Sequence, residues 1–416
     1  MEMDLDKISN LPGHVIDQIL SQLSIKEAVK TSILSSKWRF KWATLPHLVF
    51  DNQCFPVSSQ DQTIVKNKLV SIVDHVLLLH NGPIYKFKLS HRDLLGITDI
   101  DRWILHLSRC SIKEFVLEIW KGQRYKMPSS LFLCQNLVHL ELFNCFLKPP
   151  LTFKGFGSLK SLDLQHVTLA QDVFERLISS CPLLERLTLM NFDGFAHLNI
   201  NAPNLQYFDI GGVFEDISFE NTSHLAVVAI GLYVNVGDDQ KQVYSNSSNL
   251  LKFFVHLPLI RRLEVQSYFL KYLAVGTLPG RLPIPCVNLN FLSLRINFND
   301  AEEVLTALCL LRSSPNLQEL EILARPEELA AVAKFINFQE DDHSSFTFNQ
   351  LQLVKIFGIS GTQRELNFIN LVLLTSPVLE RMTVKPASID GSWELVKELL
   401  RFRRASTIAE VIYLDP

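Results

Sequence analysis

Long apolar runs, a secretory leader and a surplus of positive charge are all missing from this sequence. The nearest candidate for a membrane span, residues 225–234, is about half of the roughly 20 residues that a bilayer requires, and it contains Gly231. Acidic residues stand where a secretory signal would carry basic ones. The formal net charge of -3 gives no basic surplus for nucleic acid. We therefore expect a protein of the nucleus, the cytoplasm or both, without membrane or nucleic-acid partners.

Signatures of catalysis and metal binding are missing as well. The 7 cysteines form no C-x-x-C pair, and neither an H-E-x-x-H motif nor a zinc-spaced Cys/His set occurs. Gly155-Phe156-Gly157 lacks the third glycine of a nucleotide loop. Gly358-Ile359-Ser360-Gly361 is one residue short of a nucleophile elbow. We expect no cofactor, no metal and no catalytic residue, and a hydrolase with an unrecognised site is the enzymatic alternative.

The composition is that of a folded protein, and the first helices are readable. Hydrophobic residues make up 47% of the chain, as in folded proteins. Its length of 416 residues suits two or three domains, or one domain extended by repeats. Residues 11–23 have helical periodicity, and Asn10 can cap their start. Ser24 and Glu27 then fit a capping box that opens a second helix. A third helical segment carries Trp38, Arg39 and Trp42.

Three short helices cannot bury all of their apolar surface against each other, so a partner that covers the remainder is physically reasonable. The third segment and its continuation read Thr31-Ser32-Ile33-Leu34-Ser35-Ser36-Lys37-Trp38-Arg39-Phe40-Lys41-Trp42 and Leu45-Pro46-His47-Leu48-Val49-Phe50-Asp51. With Asp6-Lys7-Ile8-Ser9-Asn10-Leu11-Pro12 and Ile19-Leu20-Ser21-Gln22-Leu23 before them, residues 5–51 resemble a plant F-box.

The resemblance implies docking on the Skp-type adaptor of a cullin–RING ligase. Carried over by position, the adaptor-binding residues are Leu11, Pro12, Ile16, Ile19, Leu20, Leu23, Val29 and Trp38. Ser24 stands where many F-boxes have proline, and Gly13 where this family often has aspartate. Serine still caps a helix, so we expect neither departure to abolish docking. The alternative is that these helices merely cap a repeat array.

A seven-residue repeat unit recurs along the rest of the chain. Apolar residues hold its second, fifth and seventh positions, and mostly polar residues hold its third and sixth. Clear copies occupy residues 136–142, 158–164, 183–189, 204–210, 288–294, 316–322 and 378–384. Weaker copies occupy residues 83–89, 111–117, 224–230, 259–265 and 350–356.

Each repeat unit has the alternation of a short parallel strand. In residues 316–322, Leu320 and Ile322 share one face of the predicted strand, while Glu319 and Glu321 point the other way. Parallel strands need crossovers of a dozen or more residues, and helical patterns at 171–178, 302–311 and 365–374 supply three. A proline follows each of these helices and ends it, namely Pro182, Pro315 and Pro377.

These units resemble the irregular leucine-rich repeats that follow plant F-boxes. Residues 376–384 and 399–406 further resemble the FBD region, with a helix predicted at 393–404 and a last strand at 409–414. The expected fold is therefore α/β. A three-helix F-box (5–51) precedes a leucine-rich-repeat horseshoe of parallel strands and helices (52–345), which an FBD region continues (346–416). A single α/β sheet with helices on both faces is the alternative.

The resemblance implies a non-catalytic substrate-recognition subunit of an SCF-type ubiquitin ligase. The F-box would dock the Skp-type adaptor, and through it the cullin, while the repeats bind an unidentified target protein. A protein-interaction scaffold without a ligase role is the alternative. The sixth position of each repeat unit points away from the core, so the candidate target-binding residues are Glu141, Asp163, Thr188, Asp209, Ser293 and Glu321.

Overall fold

The computed structural model describes residues 8, 11–52, 54, 62–95, 98–233, 248–325, 347–388 and 392–416. The chain forms two compact units, Met1–His197 and Leu198–Pro416.

The first unit begins with two short helices, α1 (Gly13–Leu20) and α2 (Ile25–Lys30). The predicted capping box of α2 is confirmed, because Ser24 and Glu27 exchange side-chain-to-backbone hydrogen bonds. Pro12 occupies the N-cap of α1, and the predicted cap Asn10 lies outside the described residues.

The predicted third helix is wrong. Two 3-10 turns, Thr31–Ile33 and Lys41–Thr44, take its place with non-helical turns between them. Phe40 has a φ of 61°, in the left-handed region that a right-handed helix cannot contain. The segment therefore folds back over α1 and α2 as turns.

The remaining elements of the first unit are strands, with α-helices in some of the connections. They are β1 (His47–Phe50), α3 (Gln62–Leu79), β2 (Lys86–Leu95), α4 (Asp99–Leu107), β3 (Glu114–Lys121), β4 (Tyr125–Lys126), β5 (His139–Phe143), β6 (Cys145–Phe146), β7 (Ser161–Gln165), α5 (Gln171–Ser179) and β8 (Arg186–Met190). A 3-10 helix (Ser129–Leu133) lies between β4 and β5. Strands β1, β2, β3, β5, β7 and β8 pair in that order, all parallel, and β4 pairs with β6. The tail of the F-box motif is thus the first strand of the sheet.

The second unit repeats this plan. Its elements are β9 (His197–Asn201, beginning at the boundary), β10 (Tyr207–Gly212), β11 (Asp216–Glu220), β12 (Val227–Leu232), α6 (Asn249–Phe254), β13 (Arg262–Ser267), α7 (Phe269–Leu273), β14 (Phe291–Ile296), α8 (Ala301–Arg312), β15 (Glu319–Ala324), β16 (Leu353–Ile359), α9 (Gln363–Thr375), β17 (Arg381–Pro386), α10 (Ser392–Arg401) and β18 (Glu410–Tyr413). Strands β10 and β12 to β18 form one parallel series, and β9 pairs with β11.

The repeat unit predicts the strand register throughout. In every predicted copy, clear or weak, a strand begins at the fourth position, and the second, fifth and seventh side chains are buried. Neighbouring strands pair like with like, so that Leu292 lies opposite Leu320 and Ser293 opposite Glu321. Burying the same apolar positions of successive units makes one continuous core within each unit of the chain.

The opposite face of the sheet is open at the six candidate positions. Each of the sixth-position candidates is half-buried, whereas the fifth and seventh positions beside it are buried. Helices packed over both faces would bury the sixth positions as well. The alternative of a sheet covered on both faces is therefore wrong where these residues lie, and the predicted strand–helix repeat class is confirmed.

Buried hydroxyl groups stand just before Pro315 and Pro377 and bond to the helices that end there. The Ser313 and Ser314 hydroxyls donate to the Cys309 and Leu310 carbonyls at 2.6 and 2.8 Å, and the Thr375 hydroxyl donates to the Leu371 carbonyl at 2.7 Å. These carbonyls lie in the last turns of α8 and α9, and each hydroxyl donates to the carbonyl four residues before it. The buried hydroxyls are thereby satisfied inside the core where each helix ends.

The C-terminal region continues the second unit. Strand β16 pairs with β17 and β17 with β18, and the intervening helices are α9 and α10. The predicted helix at 393–404 is shorter in the structure, and the predicted strand at 409–414 is β18. At the end of α10 Arg401 pairs with Glu398 at 2.6 Å, and beyond the helix Arg404 donates to the Ala409 carbonyl at 2.8 Å.

Candidate docking surfaces

The structure separates the predicted adaptor-binding residues into three groups. Ile16, Leu20 and Trp38 are buried inside the domain, with 1%, 0% and 2% of their surface exposed. Leu11 and Leu23 are half-buried, and the exposed members are Pro12, Ile19 and Val29. The first three are therefore core residues. Adaptor contact through any of the eight stays a prediction.

Trp38 is an aromatic residue of the F-box motif that lies in the core and does not face outward. Its indole Nε1 donates to the carbonyl of Ile8 at 3.1 Å, and the ring lies in the core. A buried indole needs such a partner for its N–H. Trp38 therefore ties the third segment to the start of the chain.

Further apolar side chains, which the carried-over positions missed, are exposed in the same domain. Ile33 is 88% exposed, Phe40 58% and Leu34 45%. Together with Ile19 and Val29 we call these residues the exposed apolar set. Ile33 and Leu34 were readable as apolar positions after α2, but sequence periodicity does not tell which apolar positions stay uncovered. No sequence pattern indicated that Phe40 is exposed, because its exposure follows from the left-handed turn.

The candidate target-binding residues form rows on the open faces of the two units. In the first unit Glu141 lies opposite Asp163, which lies opposite Thr188. In the second unit Ser293 lies opposite Glu321, whereas β12 and β13 separate Asp209 from that pair. The structure therefore brings the first three together, brings Ser293 to Glu321, and leaves Asp209 apart.

The open face of the second unit is a mixed-charge surface. Lys355 reaches Glu319 at 2.7 Å and Glu321 at 4.0 Å, and the hydrogen bond to Glu319 chiefly raises the pKa of Lys355. Partial burial raises the pKa of Asp209 above its ordinary value, and the charge of Glu264 adds to that rise. Arg262 stacks over the Phe291 ring at 3.5 Å and pairs with Glu264 at 2.8 Å. Opposite charges here largely compensate one another.

The open face of the first unit carries an aromatic row that the sequence analysis missed. Trp120, Phe143 and His166 lie at or just beyond the ends of β3, β5 and β7. The Trp120 and Phe143 ring centroids are 4.4 Å apart, and those of Phe143 and His166 are 4.9 Å apart. They lie three, one and two residues beyond the seventh position of successive repeat units, so no common repeat position marks them in the sequence.

Neither a metal centre nor a membrane helix emerges from the described part of the chain. Within those residues no three His, Cys, Asp or Glu side chains gather in a way that could hold a metal, and no helix is both long and apolar enough to cross a bilayer. The loop around Ser360 starts α9: the Ser360 N–H donates to Glu365, and Thr362 and Glu365 form a capping box. Helix capping thus accounts for its resemblance to a nucleophile elbow.

Comparisons with known proteins place both regions in one group of plant proteins. The F-box domain family matches residues 8–49, and the family described as FBD-associated F-box protein At5g56370, LRR repeats, matches residues 100–322. The F-box/FBD/LRR-repeat protein At1g13570 of Arabidopsis thaliana is 44% identical, over 99% of both chains. The putative F-box/LRR-repeat protein At4g15060 of the same plant is 30% identical, over 79% of this chain and 82% of its own length.

Proposed function

Because this chain belongs to the F-box/FBD/LRR-repeat protein family, we propose that it is the substrate-recognition subunit of an SCF-type (cullin–RING) ubiquitin ligase. Its F-box would dock the Skp-type adaptor, and through it the cullin, while its repeats bind a target protein. The chain itself need not catalyse any step. Holding a target beside the ubiquitin-conjugating enzyme raises the local concentration of the target's lysines, which is sufficient for this role.

The exposed apolar set is the observation that carries the adaptor half of the proposal. A domain of fewer than about 60 residues has little core to spare, yet Ile33, Leu34 and Phe40 point outward. Ile33 and Leu34 are neighbours in the chain, and the whole exposed apolar set falls within residues 19–40, which is denser than the single apolar residues scattered over an ordinary surface. Aliphatic and aromatic anchors that project from short helices suit a hydrophobic groove on a helical adaptor.

The buried F-box residues support this surface by fixing its shape. Ile16 and Leu20 fill the core beneath α1, and the Ser24–Glu27 capping box fixes the start of α2. Lys41 further links the last 3-10 turn to Asp17 of α1 at 3.4 Å. A surface that is already ordered loses less conformational entropy on binding, which favours affinity.

The open faces of the strands support the target half. Parallel strands joined by backbone hydrogen bonds are a rigid platform, and their half-buried sixth positions present polar side chains at fixed spacing. Residues on such a platform are held more precisely than residues on loops. We therefore propose that target contacts come from the open face rather than from the helices.

Reconstituted ubiquitin transfer tests the proposal. Purified chain is mixed with the Skp-type adaptor, cullin, RING subunit, ubiquitin-activating and conjugating enzymes, and ubiquitin transfer to the chain itself is followed. We expect transfer that requires the adaptor, that Ile33→Asp abolishes and that Leu151→Asp preserves; Leu151 is a similarly exposed residue outside the F-box, at 92%. Failure of the intact protein to bind the adaptor would refute the proposal. Adaptor binding without transfer would favour the scaffold alternative.

A further inference from the structure

The aromatic row on the first unit leaves one ring strongly exposed. Trp120, near the end of β3, is 49% exposed although Phe143 covers part of it. Its Nε1 donates to the Glu118 carboxylate at 3.1 Å, which fixes the orientation of the indole. An exposed indole held in place by a hydrogen bond is a preorganised contact surface.

A cavity of about 190 Å³ lies against this ring. Its walls are formed by Glu118, Trp120, Glu141, Leu142, Phe143 and Gln165, and we call it the Trp120 cavity. Sites for cofactors and drug-sized ligands usually measure about 300–1,000 Å³. The Trp120 cavity is smaller, so it suits a single side chain of a larger partner.

The charge around the Trp120 cavity is negative. Glu118 and Glu141 line it, and Asp163 is the register neighbour of Glu141 on the next strand. Lys88 compensates Glu118 at 3.1 Å. The hydrogen bond from His139 holds the pKa of Glu141 below its ordinary value, so Glu141 is ionised at neutral pH. Lys86 and Lys88 both act on Glu141, but Lys86 is paired with Glu114 and Lys88 with Glu118, so the carboxylates Glu114, Glu118, Glu141 and Asp163 outnumber the two lysines.

We propose that the Trp120 cavity binds the arginine side chain of a protein segment, with the guanidinium stacked on Trp120 and donating to Glu141. A guanidinium is planar, permanently charged and weakly hydrated, so it can lie on an indole and bind a carboxylate at once. A lysine ammonium is a point charge that cannot stack in this way. An apolar side chain would desolvate the carboxylates without replacing their hydrogen bonds.

This inference deepens the proposed function, because it names an arginine-bearing segment as the kind of target that the first unit recognises. Hot spots of protein interfaces are rich in tryptophan and arginine seated in small pockets. The open face around the cavity provides polar neighbours such as Gln165 and Asp163. The Gln165 Nε2 donates to the Asp163 Oδ1 at 3.0 Å. These neighbours can form the polar rim that such a pocket needs.

Peptide selection on the full-length chain, with and without the Skp-type adaptor, tests the inference. Short random peptides are displayed and selected on the wild-type chain, and the affinity of the recovered peptides is measured by fluorescence anisotropy. Each peptide is then remade with lysine or with citrulline, the uncharged isostere, in place of its arginine. We expect arginine to be enriched, and the citrulline peptide to bind about tenfold more weakly, which corresponds to about 1.4 kcal/mol.

Variants at Glu141 and Trp120 test whether the preference for arginine arises in the Trp120 cavity. Glu141→Gln keeps the side-chain shape, and we expect it to weaken the arginine peptide about tenfold but to leave the citrulline peptide unchanged. Trp120→Ala should weaken arginine peptides, and Trp120→Phe, which retains an aromatic face, should weaken them less. Glu175→Gln is the control, since it changes an exposed carboxylate of the first unit that lies on helix α5 and not on a strand. It should change nothing.

The outcomes separate this inference from the proposed function. Absence of arginine enrichment, equal binding of the lysine or citrulline peptide, or an equal loss with Glu175→Gln would overturn the arginine site. Adaptor binding is measured on the same samples. Arginine selection by a chain that does not bind the adaptor would refute the ligase role alone.

Discussion

Phe50 lies opposite Leu89 in the parallel pair of β1 and β2, and both side chains are completely buried. Phe50 belongs to the F-box as the sequence delimits it, whereas Leu89 ends the first repeat unit. The Phe50 ring also lies 5.7 Å from that of Phe87. The F-box motif and the repeats therefore share a core in the first unit, and damage to this contact affects both.

Phe50→Ala should lower the free energy of unfolding by about 3–5 kcal/mol, because it leaves a cavity at the junction of the F-box and the repeats. Urea unfolding followed by circular dichroism measures the change. Phe40→Ala removes the same atoms from a ring that is 58% exposed, and it should cost at most about 0.5 kcal/mol. Similar losses for the two variants would contradict the shared core.

Ile33→Asp should weaken adaptor binding at least about tenfold while changing stability by no more than about 0.5 kcal/mol, because the side chain is exposed. Titration calorimetry with the purified Skp-type adaptor measures the affinity. Leu151→Asp should retain full affinity. Leu20→Asp is a poor probe, since burying a charge in the core unfolds the domain and would abolish binding for that reason alone. Normal affinity of the Ile33 variant would remove the exposed apolar set from the adaptor contact.

Gly155→Ala should destabilise the protein by at least about 1–3 kcal/mol. Gly155 has a φ of 101°, and a Cβ there would lie 2.0 Å from the Ser180 carbonyl oxygen. Gly157, two residues later, has open space for a Cβ and no positive φ, so Gly157→Ala should be neutral or stabilising by up to about 1 kcal/mol. Thermal unfolding distinguishes the two, and equal melting temperatures would show that the turn tolerates a side chain.

Because of Glu303, the free energy of unfolding should fall as the pH rises from about 4.5 to about 7. Its carboxyl is completely buried in α8 and contacts Arg325; burial raises its pKa to about 7, against the charge of Arg325. The folded state therefore holds a proton that the unfolded state, with an ordinary pKa of 4.5, has released in this range. The contribution of Glu303 to the free energy of unfolding is fully present below pH 4.5, the pKa of the unfolded state. It is lost as the pH rises through about 7, the pKa of the folded state.

Urea unfolding across this pH range measures that effect. The stability of the wild type relative to Glu303→Gln should fall by about 3 kcal/mol between about pH 4 and about pH 8. Glu302→Gln changes an exposed carboxylate in the same helical turn and should run nearly parallel to the wild type. Parallel curves for Glu303→Gln would show that its carboxyl does not titrate in this window.

Strand positions followed from the sequence because the strand period is a local property. Asn316-Leu317-Gln318-Glu319-Leu320-Glu321-Ile322 alternates with a period of two, and a slip of one residue would expose Leu320 and Ile322. Helices α5, α8 and α9 were predicted to within two residues at each end for the same reason, since their apolar faces and following prolines lie in one short segment. Helices α3, α4, α6 and α7 were not predicted.

Which apolar side chains are exposed could not be predicted from the sequence in the same way. Helical periodicity marks Ile16 and Ile33 alike as apolar, yet one is 1% and the other 88% exposed. Which of them is covered depends on residues distant in the chain, such as the turn around Phe40 that replaces the predicted third helix. The meeting of Trp120 with Phe143 depends on the pairing of β3 with β5 and has no local signal.

The sequence by itself determined the order of parts: an F-box-like start, the stacked repeat units and the burial of their second, fifth and seventh positions. Alternation and capping act between residues that are neighbours in the chain, so they can be read from it. Only the tertiary structure decided which apolar side chains stay uncovered, that β1 of the F-box tail joins the sheet, and that Glu141 lies in the same cavity as Trp120. Those outcomes depend on packing between distant segments, where small differences in burial decide what a partner can reach.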